Sequence, residues 1–133
     1  MTASYGKPPI LEAVIEFTYA ELSASLPERA ALKFRGFPLV QDDRSLTAAF
    51  QLGAERNVQY QEAFVGKRLT SADHRHVLMI RRRTFGYAEL APYSGWDAFS
   101  NDGRRHWERL QKTTGRLNVT RIGLRYINRI DVP

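Results

Sequence analysis

Hydrophobic and polar residues alternate along the stretch ILEAVIEFTYA, residues 10–20. One side of this alternation is apolar, and the other carries Glu12 and Glu16 together with Val14 and Thr18. A period of two residues is typical of a strand with one face buried, because successive side chains of a strand point to opposite faces. The pattern therefore predicts a strand that is apolar towards a core and acidic on its other side.

Two stretches follow a helical period instead. In SASLPERAALKFRGF (23–37), Ser25 and Glu28 fit a capping box, and Gly36 before Pro38 predicts the helix end. In GWDAFSNDGRRHWERLQKTTG (95–115), apolar residues recur every three or four positions. This second stripe predicts a long helix that packs on a sheet and ends near Gly115.

The remaining chain is rich in strand patterns. Candidate strands cover residues 45–52, 60–71, 76–83, 84–90 and 119–132, and a hairpin turn is predicted at 73–75. The resulting order is β-α-β-β-β-β-α-β. Such an order favours one α+β domain over residues 1–133, with both helices on one face of a mostly antiparallel sheet.

Composition places the chain among folded proteins and shows an uneven charge. Residues 1–66 contain six Lys/Arg and eight Asp/Glu, net −2, whereas residues 67–133 contain fourteen and six, net +8. The absence of cysteine excludes disulfides and thiolate metal sites. The chain has no apolar run of the about 18 residues that a membrane span needs, and its first residues lack a signal-peptide layout. A cytoplasmic protein is expected.

Three arginines, Arg121, Arg125 and Arg129, recur every fourth residue on the polar face of the last strand. Glu12 and Glu16 have the same spacing on the first strand, so neighbouring strands would allow a ladder of cross-strand ion pairs. Surplus arginines would instead form a binding surface for an acidic partner. The candidate binding residues are Arg81, Arg83, Arg104, Arg105, Arg121, Arg125 and Arg129.

Four classes of function remain open from the residues alone. The sequence has no phosphate-binding loop, nucleophile elbow or dinucleotide fingerprint, which disfavours an enzyme. His74 and His76 beside Asp73 read as a solvated turn, so no metal site and no cofactor is predicted. Nucleic acid is the alternative partner, through the arginine-rich sheet face and the basic second helix. The favoured hypothesis is a non-enzymatic module that binds a copy of itself or a partner protein through an open sheet edge.

The segments YGKPPILEAVIEFTY and TRIGLRYINRIDVP, joined by YAELAPYSGWDAF, resemble the hallmark segments of a sporadically distributed bacterial family without an assigned activity. The hallmarks are a Pro-Pro-Ile-x-Glu-x-x-x-Glu segment and a Gly-Leu-Arg-Tyr-Ile-Asn-Arg-Ile segment. Family members are usually about twice as long, so the chain resembles their N-terminal half. The resemblance implies an uncharacterised binding or assembly role and names no catalytic residue.

Overall fold

Six antiparallel strands form one open sheet in the computed structural model, which describes residues 10–23, 25–50 and 58–128. The strands lie in the order β2-β3-β4-β5-β1-β6 across the sheet. The predicted α+β class and element order are confirmed. The elements are β1 (Ile10–Tyr19), α1 (Leu26–Ala31), β2 (Leu39–Phe50), β3 (Val58–Thr70), β4 (His76–Arg81), β5 (Thr84–Leu90), α2 (Trp96–Thr114) and β6 (Val119–Asn128).

Strand β1 carries apolar residues on both faces, and the sheet has a large hydrophobic core on one face and a small cluster on the other. Ala13, Phe17 and Tyr19 are buried on the face that carries both helices. On the opposite face Val14 packs with Val77 and Ala88 in a small second cluster. Strand β1, which lies between β5 and β6, therefore contributes apolar side chains to both sides of the sheet.

Helix α2 packs on the face with the large core through several buried residues. Phe99 and Leu110 are fully buried, and the Trp107 ring stacks on Phe17 with centroids 4.5 Å apart. Gly103 lies against the sheet, where an added Cβ would be 3.2 Å from the Ile15 side chain. The helix ends where its amide at position 115 bonds back to the Gln111 carbonyl, which confirms the predicted C-terminus.

Helix α1 is shorter than the sequence predicts, and the predicted capping box is wrong. Ser25 makes no side-chain cap bond, and the helix ends at Ala31. The amides of Lys33 and Phe34 bond to carbonyls three residues back. These tighter turns replace the last helical turns and place Phe34 in the core.

Strands β2 and β3, at the edge of the sheet opposite β6, contain a β-bulge that the sequence did not indicate. Strand β2 begins at Leu39, earlier than predicted, and its register with β3 shifts between Asp43 and Arg44. Gly66 lies opposite this shift and contacts β4 so closely that an added Cβ would be 2.0 Å from the Ile80 carbonyl oxygen. No helix in the described part of the chain is long and apolar enough to cross a membrane.

Candidate functional site

Strand β6 forms an edge of the sheet and exposes a row of apolar side chains. Ile122, Leu124 and Tyr126 point to the same face as the helices, but the helical layer does not cover them. Ile122 is 61% exposed and Leu124 is 46% exposed. The sequence placed these residues on the apolar face of a strand. It did not indicate that the strand lies beyond the helices.

Aromatic residues extend this apolar row towards the start of α2. The Tyr126 ring meets Tyr93 edge to face at 5.8 Å, and Tyr93 in turn packs against Phe99. Trp96, at the helix start, is about half exposed, at 49%. The apolar edge, defined here as Ile122, Leu124 and Tyr126, is therefore attached to the core through ring contacts.

The opposite face of β6 carries the predicted arginines. Glu16 lies directly across from Gly123, so its carboxylate lies diagonally between Arg121 and Arg125. These side chains line a shallow pocket of about 320 Å³. Arg129 lies outside the described residues.

Between Glu12, Glu16, Arg121 and Arg125, the described members of the predicted cross-strand ladder, no direct ion pair is formed. Strands β1 and β6 are neighbours, as the ladder requires. Among the described side chains, however, no carboxylate oxygen of Glu12 or Glu16 lies within 4.0 Å of an arginine nitrogen of β6. The physical reason is register: each glutamate lies opposite Gly123 or Ile127 rather than opposite an arginine.

Of the remaining predicted arginines, Arg81 shares the open face of the sheet with the arginines of β6 but lies three strands away, and the others lie elsewhere. Arg81 pairs with Asp43 at 2.7 Å on the open face of the sheet. Arg83, in the β4–β5 turn, lies 3.8 Å from Glu21. The two α2 residues pair with acids of their own helix, Arg104 with Glu108 and Arg105 with Asp102.

A basic cleft of about 800 Å³ separates the 32–37 segment from the C-terminal half of α2. No carboxylate contributes to its lining, as far as the structure describes the chain. The sequence indicated the cations of α2 but missed the opposing wall. The cations of this basic cleft are Lys33, Arg35, Arg105, Arg109 and Lys112.

His106 forms part of the floor of the basic cleft. Its ring centroid is 5.2 Å from that of Phe37 and 5.0 Å from that of Tyr87. Burial, reinforced by the charge of Arg105, lowers the pKa of His106 to about 4. The imidazole is therefore neutral near pH 7, and the positive charge of the cleft comes from its lysines and arginines.

A hydrogen-bonded network lies under the N-terminal half of α2. The fully buried Glu89 accepts hydrogen bonds from the Ser94 amide at 2.6 Å and from the Ser94 hydroxyl at 2.8 Å. His76 Nδ1 is 2.7 Å from the hydroxyl of Tyr87, and burial raises the pKa of that hydroxyl. The predicted 73–75 turn is present, with His74 exposed and apart from this network.

Three residues of this network could in principle hold a divalent metal ion. His76, Glu89 and Asp102 each offer a ligand atom, and these atoms lie within 4.8 Å of one another. Imidazole and carboxylate ligands suit zinc or manganese. Both oxygens of Glu89 are already bonded to Ser94, and Asp102 accepts a bond from Arg105. These carboxylates therefore have hydrogen-bond partners within the protein.

Comparison of the chain with protein families, with curated proteins and with solved structures found no match in any of the three, so the family resemblance of the terminal segments stays a prediction.

Proposed function

We propose that the protein is a non-enzymatic, cytoplasmic binding module that adds a strand of a partner protein to its sheet at β6. The observation that carries the proposal is the exposed apolar edge on a strand that ends the sheet. Such edges present unpaired backbone groups to any extended segment, and most proteins protect them. Strand addition uses these backbone bonds for affinity and the alternating side chains for specificity.

The two faces of β6 indicate the chemistry of the partner. Arg121 and Arg125 lie on one face, and the apolar edge lies on the other. A complementary strand has acidic residues on one face, spaced four apart like Arg121 and Arg125, and apolar residues on the other face. Strand β1 has this pattern and pairs with β6 on its inner side, with Glu16 across from Gly123. We infer that the partner segment resembles β1 in its alternation.

A second copy of the chain fits this edge less well. Two copies of β6 related by a two-fold axis would pair antiparallel, with equivalent faces on the same side. The register that places Gly123 across from its own copy would set Arg121 directly opposite Arg125. Like charges in that position are destabilising. Nucleic acid also has weaker support, because the β6 arginines and the α2 arginines lie on opposite sides of the sheet.

The proposal is tested with two labelled peptides, (Val-Glu)4 and (Val-Lys)4, titrated with the protein and followed by fluorescence anisotropy. We expect binding of the acidic peptide and at least tenfold weaker binding of the basic one. Amide NMR shifts on addition of the acidic peptide are expected to concentrate in β6.

Two variants separate the contributions of the two faces. Arg121→Glu with Arg125→Glu is expected to reverse the preference between the peptides, and Ile122→Ser with Leu124→Ser is expected to weaken both complexes. Val40→Ser is the matched control, because Val40 is a 48% exposed apolar residue on β2, at the opposite edge of the sheet. Equal affinity for both peptides, or shifts confined to other strands, would refute strand addition at this edge.

A further inference from the structure

We infer that the basic cleft is a second binding site, specific for a compact polyanion such as the polyphosphate group of a nucleotide. The cleft lies on the helical side of the sheet and is independent of the strand-addition surface. Its volume of about 800 Å³ lies within the range of about 300–1,000 Å³ that is usual for small-ligand sites.

The charge of the basic cleft is largely unneutralised. Among the side chains that the structure describes, no carboxylate lies within 4.0 Å of the charged nitrogens of Lys33, Arg35 or Lys112. Arg109 donates a hydrogen bond to the backbone carbonyl of Lys33, at 3.4 Å. Within the described part of the chain, Arg105 is the one of the five cations that has an acidic partner, Asp102. Concentrated positive charge between facing walls attracts multivalent anions.

The floor of the cleft makes it more than a charged surface. Phe34 and Phe37 are buried beneath the cations, and their rings meet edge to face at 6.3 Å. The half-buried His106 packs against both rings. A rigid apolar floor reduces the exposure of bound phosphate groups to water, which strengthens their attraction to arginine and lysine. Arginine also offers paired donors that match phosphate oxygens.

The distribution of cations favours a compact anion over a long nucleic acid strand. The pair of Arg104 with Glu108 lies on the exposed surface of α2 and does not line the cleft. The arginines of β6 lie on the other side of the sheet and cannot continue the cleft. A ligand whose charges are close together can contact both walls at once. An extended strand would contact the cleft with only a few of its phosphates.

The test is isothermal titration calorimetry with inorganic tripolyphosphate, ATP and a single-stranded 20-nucleotide DNA, each at 50 and 300 mM NaCl. We expect tripolyphosphate and ATP to bind with one site per chain, and at least fivefold more weakly at the higher salt concentration. The DNA is expected to bind no more tightly than tripolyphosphate. No heat from tripolyphosphate or ATP at 50 mM NaCl would overturn the proposal. Tight DNA binding without tripolyphosphate binding would overturn it in favour of a nucleic-acid surface.

Two double variants test the two walls separately. Lys33→Ala with Arg35→Ala removes charge from the 32–37 segment, and Arg109→Ala with Lys112→Ala removes it from α2. All four side chains are exposed, so we expect the fold to be retained, which circular dichroism checks. Each variant is expected to lower tripolyphosphate affinity at least tenfold.

The control for these variants is Arg83→Ala with Arg104→Ala, which removes the same total charge from outside the cleft. We expect it to change the affinity less than twofold. Equal losses in the control and in the wall variants would show that net charge alone attracts the anion, and would overturn the assignment of a site.

Discussion

Burial of His106 predicts a specific loss of stability in mild acid. The ring lies between the core and the basic cleft, and burial together with Arg105 lowers its pKa to about 4 from an ordinary value of 6.5. In the unfolded chain the ring has its ordinary pKa, so it takes up a proton at a higher pH than the folded chain does. The folded state is therefore stabilised by a neutral His106 above pH 6.5. This stabilisation is lost progressively as the pH falls towards 4.

The magnitude follows from the difference in pKa. Each unit corresponds to about 1.4 kcal/mol, so the full effect has an upper limit of roughly 3 kcal/mol. Between pH 7 and pH 5 the linkage relation gives about 1.8 kcal/mol. The ring is partly exposed to water, which screens its charge, so we expect about 1 to 2 kcal/mol over this interval.

The measurement compares urea unfolding of the wild type and of His106→Phe at pH 7 and pH 5. Phenylalanine keeps an aromatic ring against Phe37 and Tyr87 but cannot take up a proton. Carboxylates affect both proteins alike, so the wild type is expected to lose about 1 to 2 kcal/mol more than the variant between the two pH values. An NMR titration of the His106 ring gives the pKa directly. Equal losses in the two proteins, or a ring that titrates near 6.5, would refute the reasoning.

Three further substitutions test the fold. Gly66→Ala is expected to destabilise by about 3 kcal/mol or more in thermal unfolding, because the new Cβ would clash with the β4 backbone. Gly36→Ala, where a Cβ meets nothing within 4 Å, is its control, and a similar loss there would contradict the clash. Phe99→Ala is expected to cost about 3–5 kcal/mol in urea, since it removes a fully buried ring, and a loss under 1 kcal/mol would contradict the packing. Glu89→Gln is expected to lower the free energy of unfolding by about 1–3 kcal/mol, because the new side-chain N–H group would face the donors of Ser94. If zinc instead stabilised the wild type and not the variant, a metal site would be favoured.

The sequence alone predicts those elements whose hydrophobic pattern lies within the element itself. Alternation in β1 and the long apolar stripe of α2 are consequences of burial on one face, and such patterns can be read without knowing the neighbouring elements. Helix α1 is shorter than its sequence predicts because of tertiary contacts. Phe34 and Phe37 reach the core through turns rather than through a continued helix. Tertiary burial outweighed the helical propensity of the 32–37 segment.

The functional surfaces depend on long-range contacts that no local pattern contains. The basic cleft requires the meeting of Lys33 with Arg109, which lie 76 residues apart in the chain. The apolar edge requires β6 to lie outside the helical layer, and this follows from the strand order rather than from the β6 sequence. Charge counting correctly indicated an excess of cations in the second half of the chain, but it did not show that they divide between two sides of the sheet.

This division of charge makes the two proposed surfaces separable by experiment. Arg121 and Arg125 are separated from the basic cleft by the sheet and the helical layer, and charges farther apart than about 8 Å are largely screened at physiological salt. Reversing the β6 arginines is therefore expected to alter peptide affinity and to change tripolyphosphate affinity less than twofold. Neutralising Lys33 and Arg35 is expected to lower tripolyphosphate affinity and to change peptide affinity less than twofold. If either change affected both ligands equally, the overall charge of the protein would explain the binding, and neither surface would be a specific site.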